Sequence, residues 1–483
     1  MTNGANAGAS RRYRPLPAGS HGLDPRDVRG DQARRLREAM IELIAAKGYP
    51  AVRIADLAKL AHVSPPTLYS LYADKEQLLL GAYEHAARMI GEAILDAHDE
   101  HHDSNERLLG ALTAFAELAV REPRAMSLLM LGAFGAGPAV LRKRRAALDA
   151  LEAYIHSNRA PGLPIDDGDV TVRAVLGGIR EITSARLRAG RQDELPALVP
   201  ALAAWADCYP APLPAGLAVP GARASDPGDP RDAGKGADAG AGGDAGAGAH
   251  AGAGADAAHP LHTSARPPAA KLQSGPSDLP PEAIARSQQG RIVDATAAIV
   301  AEHGLAALTI PAIVKRASVS NKTFYSFYPS KHDAFVGAQK VGMHQALGVT
   351  AAAYSEHADD WPRAVTAGVA ALLGYLASEP AHARLTIVDT FAASPQAIAI
   401  RQDAIEAFRS YLAPGFKHSG LPPELPGELA AEGVVGGIWN VLYDHVERGS
   451  AAALPAAAPQ LSYFALAPFL GARDAAAAAL GAR

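Results

Sequence analysis

The strongest constraint on this chain is that it repeats itself once. Gly48 and Gly304 stand 256 positions apart, and that offset holds without a gap through Leu79 and Phe335, with 12 of 32 aligned positions identical. Further on, Glu122-Pro123 matches Glu379-Pro380 at 257. Gly177-Gly178-Ile179 matches Gly436-Gly437-Ile438 at 259, and Leu195-Pro196 matches Leu454-Pro455 at the same offset. The repeating unit is thus about 185 residues long, which is unlike the short, numerous repeats of a solenoid. Two copies of one whole protomer in a single chain is the expectation.

The stretch between the copies turns to Ala, Gly, Asp and Pro, as in GKGADAGAGGDAGAGAHAGAGADAAHP at 234–260. Without bulky apolar side chains it cannot offset the entropy of ordering, so residues 211–281 are expected to be a disordered linker. A Gly-rich coil of about 70 residues spans roughly 45–50 Å and imposes little geometry. Residues 1–28 are expected to be a second disordered segment.

Both copies read as helical. Leu36, Met40, Leu43 and Ile44 recur at helical spacing, Ile292, Thr296, Ile299 and Val300 take the matching places, and no runs of β-alternation are found. The fold class expected is all-α. With 483 residues, 48% of them hydrophobic, the chain can bury several cores.

Within each copy one segment carries chemistry. In GYPAVRIADLAKLAHVSPPTLYSLYADKEQLLLGAY (48–83), a helix stops at Gly48 and a short helix from about Ile54 to Leu60 sets Ile54, Leu57 and Leu60 on one face. A tight turn at Ala61-His62-Val63 follows. Ser64 then stands as N-cap with Pro65 at the first helical position, opening a second short helix toward Tyr72. Two short helices across such a turn make a helix-turn-helix, whose second helix can enter the major groove. Copy 2 repeats the arrangement over 304–339, with Thr309 able to cap the first short helix and Ser320 the second.

The pattern A-x-V-S-x-x-T-[LF]-Y-x-x-Y-x-x-K, present twice, resembles the TetR-family helix-turn-helix and the start of its following helix. The resemblance covers about 50 residues of each copy strongly. It implies helix-turn-helix domains at 29–83 and 282–339, with ligand-binding and dimerisation domains at 84–210 and 340–475. The implied DNA contacts are Ser64, Pro65, Pro66, Thr67, Tyr69, Ser70, Tyr72 and Lys75 in copy 1. In copy 2 they are Thr309, Ser320, Asn321, Lys322, Thr323, Tyr325, Ser326, Tyr328 and Lys331. Thr and Tyr hydroxyls can donate to phosphates and the two lysines add charge beside the backbone. Asn321 and Lys322 could read base edges, whereas Pro65 and Pro66 offer only apolar contact. Tyr72 and Tyr328 suit core and contact equally. Arg53 stands where the family has a capping Thr, His62 and Ser318 stand where Gly is usual, and copy 1 has no charged residue between Lys59 and Asp74.

The resemblance also implies a small apolar effector. Apolar and aromatic positions suggest Phe115, Met126, Met130, Phe134, Tyr154 and Trp205 as pocket lining in copy 1, and Ile387, Phe391, Phe408, Trp439 and Tyr443 in copy 2. The last two long helices of each copy, 169–189 with 195–209 and 426–448 with 455–471, are the pairing candidates. Small residues at Gly177, Gly178, Gly436 and Gly437 would admit close approach there.

A net charge of −4 excludes a protein that coats nucleic acid, so any DNA affinity is local. Residues 286–344 carry seven Lys/Arg against three Asp/Glu, whereas 29–85 carry eight against seven, so copy 2 should bind DNA more strongly without regard to sequence. The single Cys208 excludes an intrachain disulfide and a thiolate zinc site. The cluster Asp96, His98, Asp99, His101, His102 and Asp103 has metal-ligand chemistry but falls at an expected interhelical turn. Gly132, Gly135 and Gly137 follow no strand, so they make no phosphate loop. No cofactor, metal or catalytic set is expected, and apolar stretches such as Gly433–Val441 are too short to cross a bilayer. The start, MTNGANAGASRRYR, has no apolar core, and a cytoplasmic location is expected.

The reading that follows is a sequence-specific regulator of transcription, a repressor that binds a double-stranded DNA operator and is released from it by a small apolar effector. One chain would pair its own two halves as a pseudo-dimer, or two chains would form a homodimer. The alternative is a ligand-binding or protein-interaction module with a degenerate first DNA-binding domain.

Overall fold

In the computed structural model a glycine at positive φ closes the first helix of each unit: Gly48 (φ 73°) ends α1 (Pro25–Lys47) and Gly304 (φ 77°) ends α10 (Pro281–His303). The structure describes Tyr13 and residues 24–99, 104–130, 132, 138–159, 170–214, 216–217, 280–390, 394–418 and 420–481. Every regular element among them is helical.

Unit 1 continues with α2 (Ile54–Ala61), α3 (Pro65–Leu71), α4 (Lys75–Asp99), α5 (Ser104–Arg121), α6 (Pro123–Met130), α7 (Pro138–Arg159), α8 (Thr171–Arg188) and α9 (Leu195–Asp207). Unit 2 continues with α11 (Ile310–Ala317), α12 (Asn321–Phe327), α13 (Lys331–Ser355), α14 (Trp361–Ser378) and α15 (Pro380–Ala383). A π-helical segment, Arg384–Val388, precedes α16 (Pro395–Ser410), α17 (Gly427–Glu447), α18 (Ala458–Leu470) and α19 (Ala472–Gly481).

The two units meet along α8 and α17, the most extensively packed helix pair in the molecule. The glycines are the reason they can. A Cβ on Gly177 would fall 2.3 Å from Asn440 Cβ, and one on Gly178 would fall 2.2 Å from the Trp205 ring and 2.4 Å from the Gly433 carbonyl oxygen. From the other side, a Cβ on Gly436 would fall 2.5 Å from Glu181 Cβ, and one on Gly437 would fall 2.5 Å from the Ala174 carbonyl oxygen. Aromatic rings close the end of the seam: Tyr209 stacks on Phe464 at 4.6 Å and its hydroxyl donates to the Phe464 carbonyl at 3.1 Å. Around the apolar centre run ion pairs from unit to unit, Arg401 with Glu181 at 2.8 Å, Arg448 with Asp149 at 3.0 Å, and Arg173 with Asp444.

Three boundaries differ from the expected ones. The segment assigned to disorder before residue 29 contains the first turns of α1, whose N-cap Asp24 accepts from Arg26 N–H, and the buried Tyr13, whose hydroxyl donates to Glu42 Oε2 at 2.8 Å. Residues 211–214 and 216–217, assigned to the linker, reach the body of the protein, because Leu217 is fully buried and its carbonyl accepts from Gln460 Nε2 at 2.9 Å. The last domain runs past residue 475 to the end of α19, an alanine-rich helix that packs on α18 and α14. Its small side chains hide the helical period from a hydropathy pattern.

Cys208 is half-buried, its thiol donates to the Ala204 carbonyl at 3.3 Å, and burial pushes it up to about 12, which makes it a poor nucleophile. Among the described residues no single helix is long and apolar enough to cross a membrane.

Candidate nucleic-acid interface

The two helix-turn-helix segments are built by the same local rules. Ser64 Oγ accepts from Thr67 N–H at 3.2 Å and Ser320 Oγ from Thr323 N–H at 3.0 Å, which starts α3 and α12. His62 and Ser318 adopt φ of 52° in the turn, the left-handed region that favours glycine. A residue that sequence reasoning missed steadies this turn in both units. Arg291 Nη1 donates to the carbonyls of Ala317 (2.8 Å) and Ser318 (3.1 Å), and Arg35, 256 positions earlier, makes the same pair of bonds to Ala61 and His62. The guanidinium takes up the orphan carbonyls at the end of α2 and α11. The signal was available, since both arginines keep the 256 offset.

The first short helices differ as Arg53 implies. Thr309 Oγ1 accepts from Ala312 N–H at 3.3 Å, while Arg53 makes no side-chain cap. Thr309→Ala is expected to destabilise unit 2 by about 1 kcal/mol, and Arg53→Thr to stabilise unit 1 by a similar amount. Urea midpoints read both; an unchanged T309A midpoint would remove the cap from the account.

The outward face of each second helix carries most of the candidates. Pro65, Pro66, Tyr69 and Ser70 are exposed in unit 1, and Asn321, Lys322, Tyr325 and Ser326 in unit 2. Tyr69 (54% exposed) and Tyr325 (56%) are the largest apolar side chains left in solvent on these helices. Thr67 and Thr323 are half-buried and share their hydroxyls with Ser64 and Ser320 at 2.8 and 2.9 Å. Ser70 and Ser326 hydroxyls donate to the carbonyls of Thr67 and Thr323.

Four candidates turn inward instead. Tyr328 is 7% exposed and its ring lies 2.5 Å from where a Cβ on Gly337 would be; Tyr72 is half-buried over Gly81 in the same way. Each is the extended C-cap of its helix, and that conformation swings the ring onto the following helix. Lys331 Nζ donates to the Leu308 carbonyl at 2.9 Å. Lys75 Nζ donates to the Val52 carbonyl at 3.1 Å and sits 4.2 Å from the Tyr49 ring centre. These lysines pin the loop before the first short helix, and the carbonyls there have no helical N–H to bond.

The ligand-lining candidates divide sharply. Ile387, Phe408 and Trp439 line one cavity of about 820 Å3 between α13, α14, α16 and α17, together with apolar residues such as Leu372, Leu373 and Val435. Tyr443 does not join them; it packs against Arg144 at the seam. Trp205 is a seam residue too, set against Gly178 and Gly433. Glycine packing explains the place of Trp205, whose ring fills the space that Gly178 and Gly433 leave open, while Tyr443 is held at the seam against the Arg144 guanidinium. Met126 is fully buried, Met130 borders a cavity at the seam, Phe115 is half-buried, and the Tyr154 hydroxyl meets His98 Nδ1 at 2.9 Å. Phe134 and Phe391 lie outside the described residues, as do His101, His102 and Asp103; among the described residues no group of metal ligands is found.

Beside the cavity, burial pushes the Asp389 carboxyl up to about 6, with Arg384 at 3.5 Å opposing the shift in part. A carboxyl raised in the folded state favours folding while protonated. Stability is therefore expected to be highest below about pH 4 as far as this group is concerned, and to decline as pH rises to about 6. Asp389→Asn should remove that decline in urea midpoints measured against pH; an unaltered slope would absolve Asp389.

Comparison with known proteins puts a family beside this geometry. The family model described as bacterial regulatory proteins, tetR family, matches residues 36–82 and again 292–336. FasR of Mycolicibacterium smegmatis, an HTH-type transcriptional activator, is 26% identical over 150 residues, covering 31% of this chain and 68% of its own. Among solved structures, the fatty acid degradation regulator FadR of Bacillus halodurans is similar with a TM-score of 0.33 and 17% identity, covering 36% of this chain and 94% of its own. FadR of Bacillus subtilis, solved with stearoyl-CoA, gives 0.31 and 19%, covering 36% and 96%.

Proposed function

The chain belongs to the TetR family of bacterial regulators and carries two of its units in tandem, and from that premise we propose that it binds an operator as a single-chain pseudo-dimer. The observation that carries the proposal is the glycine-mediated packing of α8 on α17, a contact between the two units of one chain. Paired recognition helices in such an arrangement address half-sites about one DNA turn, roughly 34 Å, apart. Because PPTLYSL and NKTFYSF differ, the preferred operator has unlike half-sites.

A small apolar molecule in the 820 Å3 cavity of unit 2 is the proposed effector, and release from DNA the proposed response. Two covalent routes lead from cavity to DNA-binding domain. Helix α13 lines the cavity with Met343, Ala346 and Thr350 and begins at Lys331, beside the helix-turn-helix. The π-helical segment contributes Thr386 and Ile387 to the cavity, while its Leu385 is fully buried in the core of the second DNA-binding domain. A ligand that prefers one spacing of these elements shifts the population toward it, and only unequal affinity for the two states can do so.

Sedimentation of the full chain tests the association. A particle near 49.9 kDa is expected; one of twice that mass would mean that two chains pair unit by unit, and would sink the single-chain arrangement.

A further inference from the structure

The seam between the units holds two solvent-open cavities that share Arg144, Arg180, Asn440 and Tyr443. The first, of about 520 Å3, is balanced in charge: Arg144, Arg145, Arg173 and Arg180 face Asp149, Glu152, Asp444 and Glu447. The second, of about 410 Å3, has one carboxylate, Glu181, among Arg144, Arg180, Arg188 and Arg401, the first two of which also line the first cavity. That carboxylate is already bonded to Arg401 at 2.8 Å and Arg188 at 3.0 Å, and the two guanidinium groups hold it down to about 2.

Arg180 is the residue left over. Among the described residues no carboxylate lies within ion-pair distance of it, and its Nη1 donates only to Asn440 Oδ1 at 3.1 Å. Burial and the neighbouring Arg144 push its guanidinium down to about 9. A guanidinium does not shed its proton under ordinary conditions, so this half-buried cation, with no carboxylate at ion-pair distance, is open to an added anion. Its planar fork matches the oxygen pair of a carboxylate or a phosphate.

We propose that this cavity, walled by α8 of unit 1 and α17 of unit 2, binds a small organic oxyanion, a carboxylate or a phosphate ester, on Arg180. Asn440 is positioned to share in holding it. The site is separate from the apolar cavity but shares the Trp439 wall with it, over which Arg401 stacks at 4.7 Å. Because residues of both units surround the anion, its binding strengthens their association, which gives the regulator a second chemical input. The inference rests on the single-chain packing proposed above.

The test uses the full chain in chloride buffer, with inorganic phosphate or succinate added at matched ionic strength, and reads thermal unfolding beside sedimentation. A saturable rise in Tm of about 3 °C with at least one anion is expected for the unaltered chain; phosphate alone would select the phosphate class and succinate alone the carboxylate class. Arg180→Met should lose that rise, read against its own Tm in chloride. Arg180→Lys, which keeps charge without the fork, should retain part of the rise. No rise with either anion, or a full rise in R180M, overturns the site while leaving the single-chain particle standing. A two-chain particle overturns the packing and the site together.

Discussion

Gly178→Leu is expected to separate the two units and to reduce operator affinity at least tenfold. Even a methyl group at this position would lie 2.2 Å from the Trp205 ring and 2.4 Å from the Gly433 carbonyl oxygen, and the second of these is backbone that no rotamer change can move. Overpacking a well-filled core costs about 1–3 kcal/mol where side chains can yield, and the cost here lies above that range because α17 itself has to retreat. The two DNA-binding domains keep their own capped helices, so helical content should persist while the units lose their fixed separation. Sedimentation and operator titration read the change. Gly91→Ala serves as control, since a Cβ there meets nothing within 4 Å and alanine in a helix is favoured by about 0.5–1 kcal/mol. Equal DNA affinity for G178L and the unaltered chain would show that the seam does not set the spacing of the recognition helices.

The second large effect is expected from the paired substitution Asn321→Ala with Lys322→Ala, which should weaken operator binding about 100-fold. Both side chains are exposed at the start of α12, and the Ser320 cap that holds the helix is left in place. A side chain reading a base edge contributes about 1–3 kcal/mol of discrimination, and a phosphate-contacting lysine adds about one unit to the salt slope. The loss should therefore fall on one half-site of the operator and flatten the salt dependence. The matching positions in unit 1 are Pro65 and Pro66, which have no polar group to lose, so P65A with P66A should be much milder. An unaltered affinity for the double variant at low salt would remove α12 from the DNA interface. Lys331 makes a poor probe for this purpose: its ammonium bonds the Leu308 carbonyl, so truncation would loosen the domain it was meant to test.

The contrast between Lys322 and Lys331 shows how far a motif can be read. Both lysines belong to the same stretch of sequence and both suit a phosphate. Which of them is free to reach one depends on an unpaired carbonyl, Leu308, brought close by the turn between α10 and α11. The same holds for the tyrosines. Tyr325 and Tyr328 are three positions apart in one pattern, yet Tyr325 is 56% exposed and Tyr328 is 7% exposed, because the latter ends its helix in an extended conformation facing Gly337.

What the sequence by itself determined is whatever rests on local rules and on the comparison of one half with the other. The all-α class, the duplicated unit, the Ser64, Ser320 and Thr309 caps, and the paired glycines at 177–178 and 436–437 are of this kind. Each needs only neighbours within a few residues or an offset that can be counted. What only the tertiary structure decided is which groups from distant segments share a volume. Trp205 and Tyr443 left the ligand candidates for the seam, Ile387, Phe408 and Trp439 came together around one cavity, and Arg180 came to lie beside Arg144 with, among the described residues, no carboxylate at ion-pair distance. Helical periodicity says that a side chain is buried, but the direction in which two helices cross decides against what, and that direction is set at α8 and α17 by contacts some 260 residues apart in the chain.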